Sequence, residues 1–116
     1  GADGAAWTAP FFNAGNVSGA IEIDWDNGPQ QRITLLFPSL LTYVNAVDGA
    51  HYVLEVHQDG TGGHTLALPV EMHWPGGVQP VVTPAANAVA LFIFIAGNVG
   101  GNVLYGQVAQ NFLPAA

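Results

Sequence analysis

Hydrophobic and polar residues alternate with a period of two along much of the chain. In HYVLEVH, Tyr52, Leu54 and Val56 fall on one side, and His51, Val53, Glu55 and His57 on the other. That is the pattern of a strand with one face buried. GAIEID sets Ile21 and Ile23 against Glu22 and Asp24, and RITLLF puts Ile33, Leu35 and Phe37 on one side. The run VALFIFI, Val89 to Ile95, is apolar on both faces and rich in β-branched and aromatic residues. It predicts a central strand buried between two layers. VLYGQV predicts a last strand from Val103 to Val108.

No apolar stripe at helical spacing accompanies these runs, and fifteen glycines and eight prolines spread along the chain argue against long helices. Turn signals fall between the strands at Asp26-Asn27-Gly28-Pro29, Asp48-Gly49, Asp59-Gly60, Pro75-Gly76-Gly77 and Gly97-Asn98. Short strands at this spacing predict an all-β chain, a single antiparallel β-sandwich or jelly-roll domain over residues 17–116. Residues 1–16 form a short N-terminal arm in this reading. Linkers, internal repeats and charge runs are missing.

Composition adds a partner to the picture. Of 116 residues, 50% are hydrophobic and 8% charged, with one Arg, no Lys and eight acids. A monomer of this length exposes roughly 6,000 Å², so each charged side chain would serve roughly 650 Å². A surface that bare implies apolar patches covered by other subunits or by a larger assembly. A neutral Thr/Asn/Gln/Gly surface on a plain monomer is the alternative. A net charge of −7 repels phosphate backbones and anionic lipid, which excludes nucleic-acid and membrane-surface binding. The longest apolar run is too short to span a bilayer. Zero cysteines exclude disulfides and thiolate metal sites.

The chemistry-bearing residues form weak constellations. Glu55 and His57 share a strand face, with His51 further along it and His64 beyond the next turn. Together they could make a zinc site, but no His-x-His or His-Glu-x-x-His motif supports one, and solvent-facing strand histidines explain them equally. Asp24 and Asp26 flank Trp25 at the spacing of a carboxylate pair, yet Asp26 also suits a turn cap. Neither serine lies in a Gly-x-Ser-x-Gly elbow, and the glycine-rich segments precede no helix that would make them phosphate loops. The expectation is therefore a protein that is not an enzyme, with no catalytic residue, metal or cofactor.

Three segments in series resemble a known family: GAIEIDWDNGPQQRITL (19–35), LEVHQDGTGGHTLALP (54–69) and HWPGGVQPVVTPAANAVALFIF (73–94), followed by LYGQVAQNF. They are similar to a small β-domain of tailed-bacteriophage virion proteins, found at the C-terminal ends of tail fibres and akin to jelly-roll capsid decoration proteins. Its pattern runs D-W-x-x-G-x-x-Q, then Q-D-x-T-G-x-x-T-x-x-x-P, then W-P-G-G-x-x-P. The likeness covers residues 17–112, with Leu68 where the family often has an aromatic. It implies a homotrimeric virion-surface protein on the capsid exterior, a decoration or cement protein binding the major capsid protein. With only 16 residues ahead of the domain, a capsid lattice is expected over a stalked fibre. The alternative is a tail-fibre tip that meets a host receptor or glycan. Capsid contacts are expected at Trp7, Phe11 and Phe12, and trimer contacts at Leu91, Phe92 and Phe94. Loop contacts are expected at Asp59, Thr61 and Trp74. Gln58 to Gly63 reads as a hairpin loop, and Trp74 to Gly77 as the next corner.

Overall fold

The computed structural model describes residues 10–98 and 102–113. Seven strands form one sheet: β1 (Phe12–Asp24), β2 (Gln30–Val44), β3 (His51–Gln58), β4 (Leu66–Ala67), β5 (Met72–His73), β6 (Val89–Gly97) and β7 (Val103–Phe112). Their order is β1-β2-β3-β6-β7-β5, and β4 pairs with β2 beyond the reach of β3. Among the described residues there is no α-helix, only two single 3₁₀ turns, Trp25–Asn27 and Pro75–Gly77. The all-β expectation holds. The antiparallel sandwich does not describe the pairing: β1–β2, β2–β3, β2–β4 and β5–β7 are parallel, and β3–β6 and β6–β7 antiparallel. The result is a single mixed sheet curled into a half-barrel.

The curl comes from β1 and β2. Parallel neighbours in a flat sheet need a crossover of roughly a dozen residues, yet only residues 25–29 join these two strands. The resolution lies in a doubled ribbon. Phe12 pairs with Gln31 and Asp24 with Val44, while the carbonyl oxygen of Asp24 also accepts from Gln31 Nε2 at 2.6 Å. A straight strand would hold Phe12 and Asp24 roughly 40 Å apart. Both lie beside Gln31, so the ribbon folds back on itself. The fold falls where Val17 pairs with Leu35 and the next pair is Gly19 with Ser39. Gly19 has φ 70°, and Pro38, without an N–H, breaks the ladder on the other strand. Past this corner β2 exchanges β3 for β4.

The doubled ribbon brings Ile23 and Leu41 from its later half into the same core as Ile33 and Leu35 from its earlier half. Tyr52, Leu54 and Val56 of β3 join them, with Phe92 and Phe94 of β6 and Leu104 of β7. The connection over residues 59–88 adds Leu66, Leu68, Met72 and Val82. Trp25 stacks on Tyr52 with centroids 4.5 Å apart. At Gly106 a Cβ would meet the Trp74 ring at 2.6 Å and the Phe94 ring at 2.8 Å. Only glycine lets these rings close over the strand.

Four expectations change here. β6 is central, between β3 and β7, but one layer covers it. Phe92 and Phe94 are 0% exposed, while Ile93 and Ile95, on the opposite face, are 52% and 48% exposed. Phe37 does not continue the face of Ile33 and Leu35, because the Pro38 corner turns it out to 63% exposure. The segment 58–63 is not a hairpin loop either, since β3 pairs with β2 and β6 and the strand that follows, β4, pairs with β2. Finally, β1 begins at Phe12, inside the stretch expected to be an arm.

Candidate functional site: an outer groove and a dry apolar row

The convex face of the sheet carries the available surface. Strand register aligns His73, Tyr105, Ile95 and His51 across β5, β7, β6 and β3, with Gln107, Ile93 and Val53 in the neighbouring row. His73, Trp74, Pro75, Ile93, Ile95, Tyr105 and Gln107 line a groove of about 480 Å³. The rings of His73 and Tyr105 meet edge to face at 5.8 Å. Trp74 forms the wall, half-buried, its ring 5.9 Å from both Phe92 and Phe94. The groove continues past Trp74 and Pro75 to Val78 and Pro80. No Asp, Glu, Lys or Arg lines either part.

One row further, leaving the groove, Leu91 pairs with Glu55 and Glu55 with Arg32. Glu55 Oε1 lies 2.5 Å from both Arg32 Nε and His57 Nε2. The Arg32 guanidinium also sits 4.9 Å above the Phe11 ring, a cation–π contact. Burial works to raise the Glu55 carboxyl, but the hydrogen bonds and charges of Arg32 and His57 outweigh it and hold it below its ordinary value. The third member of this cluster is thus a cation, Arg32. Among the described residues no group of three His, Asp or Glu side chains could hold a metal ion.

Two other acids, Asp59 and Asp24, organise turns. Asp59 Oδ1 accepts from the N–H groups of Thr61 and Gly62 at 3.0 and 2.9 Å and faces His64 Nε2 at 2.9 Å. Gly62, with φ 73°, passes so close to Pro84 and Ala86 that a Cβ would strike their backbone. Asp24 Oδ1 accepts from Asp26 N–H and Asn45 Nδ2. Neither carboxylate pairs with a second one. Two buried glutamines, fixed letters of the family pattern to which the sequence reading gives no role, pin the fold. Gln31 Nε2 donates to Asp24 O and Gly28 O. Gln58 donates to His64 O and Thr83 O and accepts from His64 N–H.

The second surface is dry. Register aligns Ala20, Leu40 and Ala67 across β1, β2 and β4, all three exposed, with Leu40 at 50%. Phe37 stands next to this row, its ring 6.1 Å from His64.

The expected contact residues are distributed as follows. Trp7 lies outside the described residues. Phe11 is tied to Arg32 and Phe12 is exposed at the start of β1. Leu91 is half-buried, while Phe92 and Phe94 are sealed in the chain's own core and present no surface to a partner. On β6 the side chains that reach the surface are those of Leu91, Ile93 and Ile95. Thr61 is exposed beside Asp59, whose carboxylate serves the loop, and Trp74 stands at the groove. Comparison with family models, curated proteins and solved structures finds no match, so residue pattern and surface chemistry carry the functional reading.

Proposed function

We propose that this chain is a structural protein of a tailed-bacteriophage virion: a homotrimeric decoration protein on the capsid exterior that braces the major capsid lattice. One observation carries the assembly part of this reading. Twelve large hydrophobic side chains are exposed among the described residues, against nine charged residues in the whole chain. Three of those charges, Arg32, Glu55 and Asp59, are already engaged within the fold. Exposed apolar surface of that extent with so little charge favours association. The row of Ala20, Leu40 and Ala67 with Phe37 suits a protein partner, because it holds no polar side chain to desolvate. A standard interface of about 800 Å² per partner, at about 25 cal/mol per Å² of apolar area, offsets the cost of association. The phage setting rests on the resemblance of the three motif segments.

Purified particles provide the experiment. A decoration protein runs on a stained gel as a band comparable in copy number to the major capsid protein, and the isolated protein has the mass of a trimer. A monomer at micromolar concentration that does not rebind stripped particles rules the proposal out.

The groove favours a second reading, a tail-fibre tip that meets a host receptor. It predicts a few copies per particle, located at the tail.

A further inference from the structure

We propose that the groove on the convex face of β5, β6 and β7 binds a neutral sugar, a short oligosaccharide that stacks on Tyr105 and Trp74. This goes beyond the lattice role and does not depend on it.

Four residues with polar side chains, His73, Trp74, Tyr105 and Gln107, line the groove together with apolar Ile93 and Ile95. None of the four has a hydrogen-bond partner among the described residues. Elsewhere several of their counterparts are engaged, while Trp25 Nε1 is buried without a partner. Tyr43 donates to Asn102 O and Tyr52 accepts from Val47 N–H. His57 and His64 pair with acids. Gln31, Gln58, Gln79 and Gln110 donate to backbone carbonyls. The groove gathers aromatic rings and polar side chains, unused by the fold, in one place.

That combination selects the ligand. A pyranose has one apolar face for an aromatic ring and hydroxyls around its edge for an amide, an imidazole and a phenol. The space of about 480 Å³ lies within the range of small-ligand sites. Charge narrows the choice further. No cation lines the groove, and the chain carries −7 overall, so sialylated or phosphorylated glycans meet repulsion and no compensating partner. A second copy of the chain suits this face less well than the dry row around Leu40. It would have to match all four polar groups, each costing about 1–3 kcal/mol if buried unpaired.

The test uses the full chain on a printed array of neutral and sialylated oligosaccharides, followed by titration calorimetry with the best neutral binder. Tyr105→Ala and His73→Ala are both exposed-site changes that leave the core intact. The expected result is retention of a neutral glycan, weakened at least about tenfold in Tyr105→Ala, with the oligomeric mass unchanged. Retention of no glycan, or of sialylated glycans alone, overturns the proposal. Undiminished binding by Tyr105→Ala does so too, as does a change of oligomeric mass in that variant, which would make the face a protein interface. Particle copy number and trimer mass decide the lattice role separately.

Discussion

The side-chain amide of Gln31 donates to the main-chain oxygen of Asp24 at 2.6 Å, and the two residues lie at opposite ends of a doubled ribbon. Gln31 is 1% exposed, and its second bond, to Gly28 O, closes the turn that joins the strands. A buried polar group with full satisfaction specifies geometry; removed, it strands its partners. Gln31→Leu keeps the volume and leaves two carbonyls without donors. It is expected to destabilise the chain by about 1–3 kcal/mol in urea unfolding. A loss below about 0.5 kcal/mol, the range of ordinary surface changes, would mean that the corner is held by something else.

Phase along β6 yields a paired prediction. Phe92→Ala opens a hole among Trp74, Phe94 and the strands around them and is expected to cost about 3–5 kcal/mol. Ile93→Thr, one residue on and facing outward, stays within about 0.5 kcal/mol in the isolated protein. Equal losses at both positions, measured by the same denaturant midpoint, would place a second covering layer over the sheet.

Much of this was legible in the residues, and the failures have physical causes. Period-two alternation found parts of β1, β2 and β3 because burial on one side of a pleat forces it, and an unbroken apolar run found β6. Alternation carries no strand direction, and short strands with turn signals between them suggested antiparallel neighbours throughout. Only the corner at Gly19 and Pro38 lets β1 and β2 run parallel with so brief a link. VALFIFI looked buried on both faces because outward Ile93 and Ile95 are as apolar as inward Phe92 and Phe94. Pattern cannot separate a doubly covered strand from one that borders a binding surface. The two clamps did leave a signal: Gln31 keeps phase with Ile33 and Leu35, and Gln58 with Leu54 and Val56. A polar residue on the buried phase of a strand marks a turn held from inside. The groove was half-visible, with Trp74 noted as an exposed candidate, but β5 is two residues long and its pairing with β7 had no pattern to announce it.

Acid weakens the fold through Glu55 and Asp59. At Asp59 the Gly62 N–H holds the carboxyl down against desolvation, aided by Thr61 and His64; at Glu55 Arg32 and His57 do so against burial. Both folded values lie below the unfolded ones. The stabilisation is therefore present above the ordinary carboxylate range, about pH 4, and is lost as pH falls through the folded values. Urea midpoints measured from pH 7 to 3 are expected to drop at the acid end. In Glu55→Gln the drop becomes shallower, and an unchanged slope would show that this carboxylate contributes nothing.

At the alkaline end Tyr43 acts with the opposite sign. Burial, with the nearby charge of Glu71, pushes its hydroxyl up to about 12. Its contribution is complete below the unfolded value of about 10 and is lost as pH climbs towards 12. Tyr43→Phe is expected to unfold less steeply over that window, although it forfeits the bond to Asn102 O at neutral pH. The phenolate step that Tyr43 adds towards pH 12 should vanish from the absorbance titration of Tyr43→Phe. Its persistence in that variant would contradict the placement of Tyr43.

The proposed assembly turns on Leu40. Its neighbours across the strands, Ala20 and Ala67, are small and exposed, so Leu40 is the knob of the row and Phe37 its aromatic flank. Leu40→Asp adds a charge to a chain that already has −7, and on a symmetric oligomer it does so once per subunit. Desolvation and like-charge repulsion then act together at the interface, while an isolated subunit keeps the new carboxylate in water. Light scattering is expected to report a trimer for the parent protein and a monomer for Leu40→Asp, with the same thermal transition in dilute solution. Ile95→Asp serves as the control on the groove face and is expected to leave the mass unchanged. Should Leu40→Asp remain trimeric while Ile95→Asp dissociates, the subunits meet across the groove, and the sugar reading falls with it.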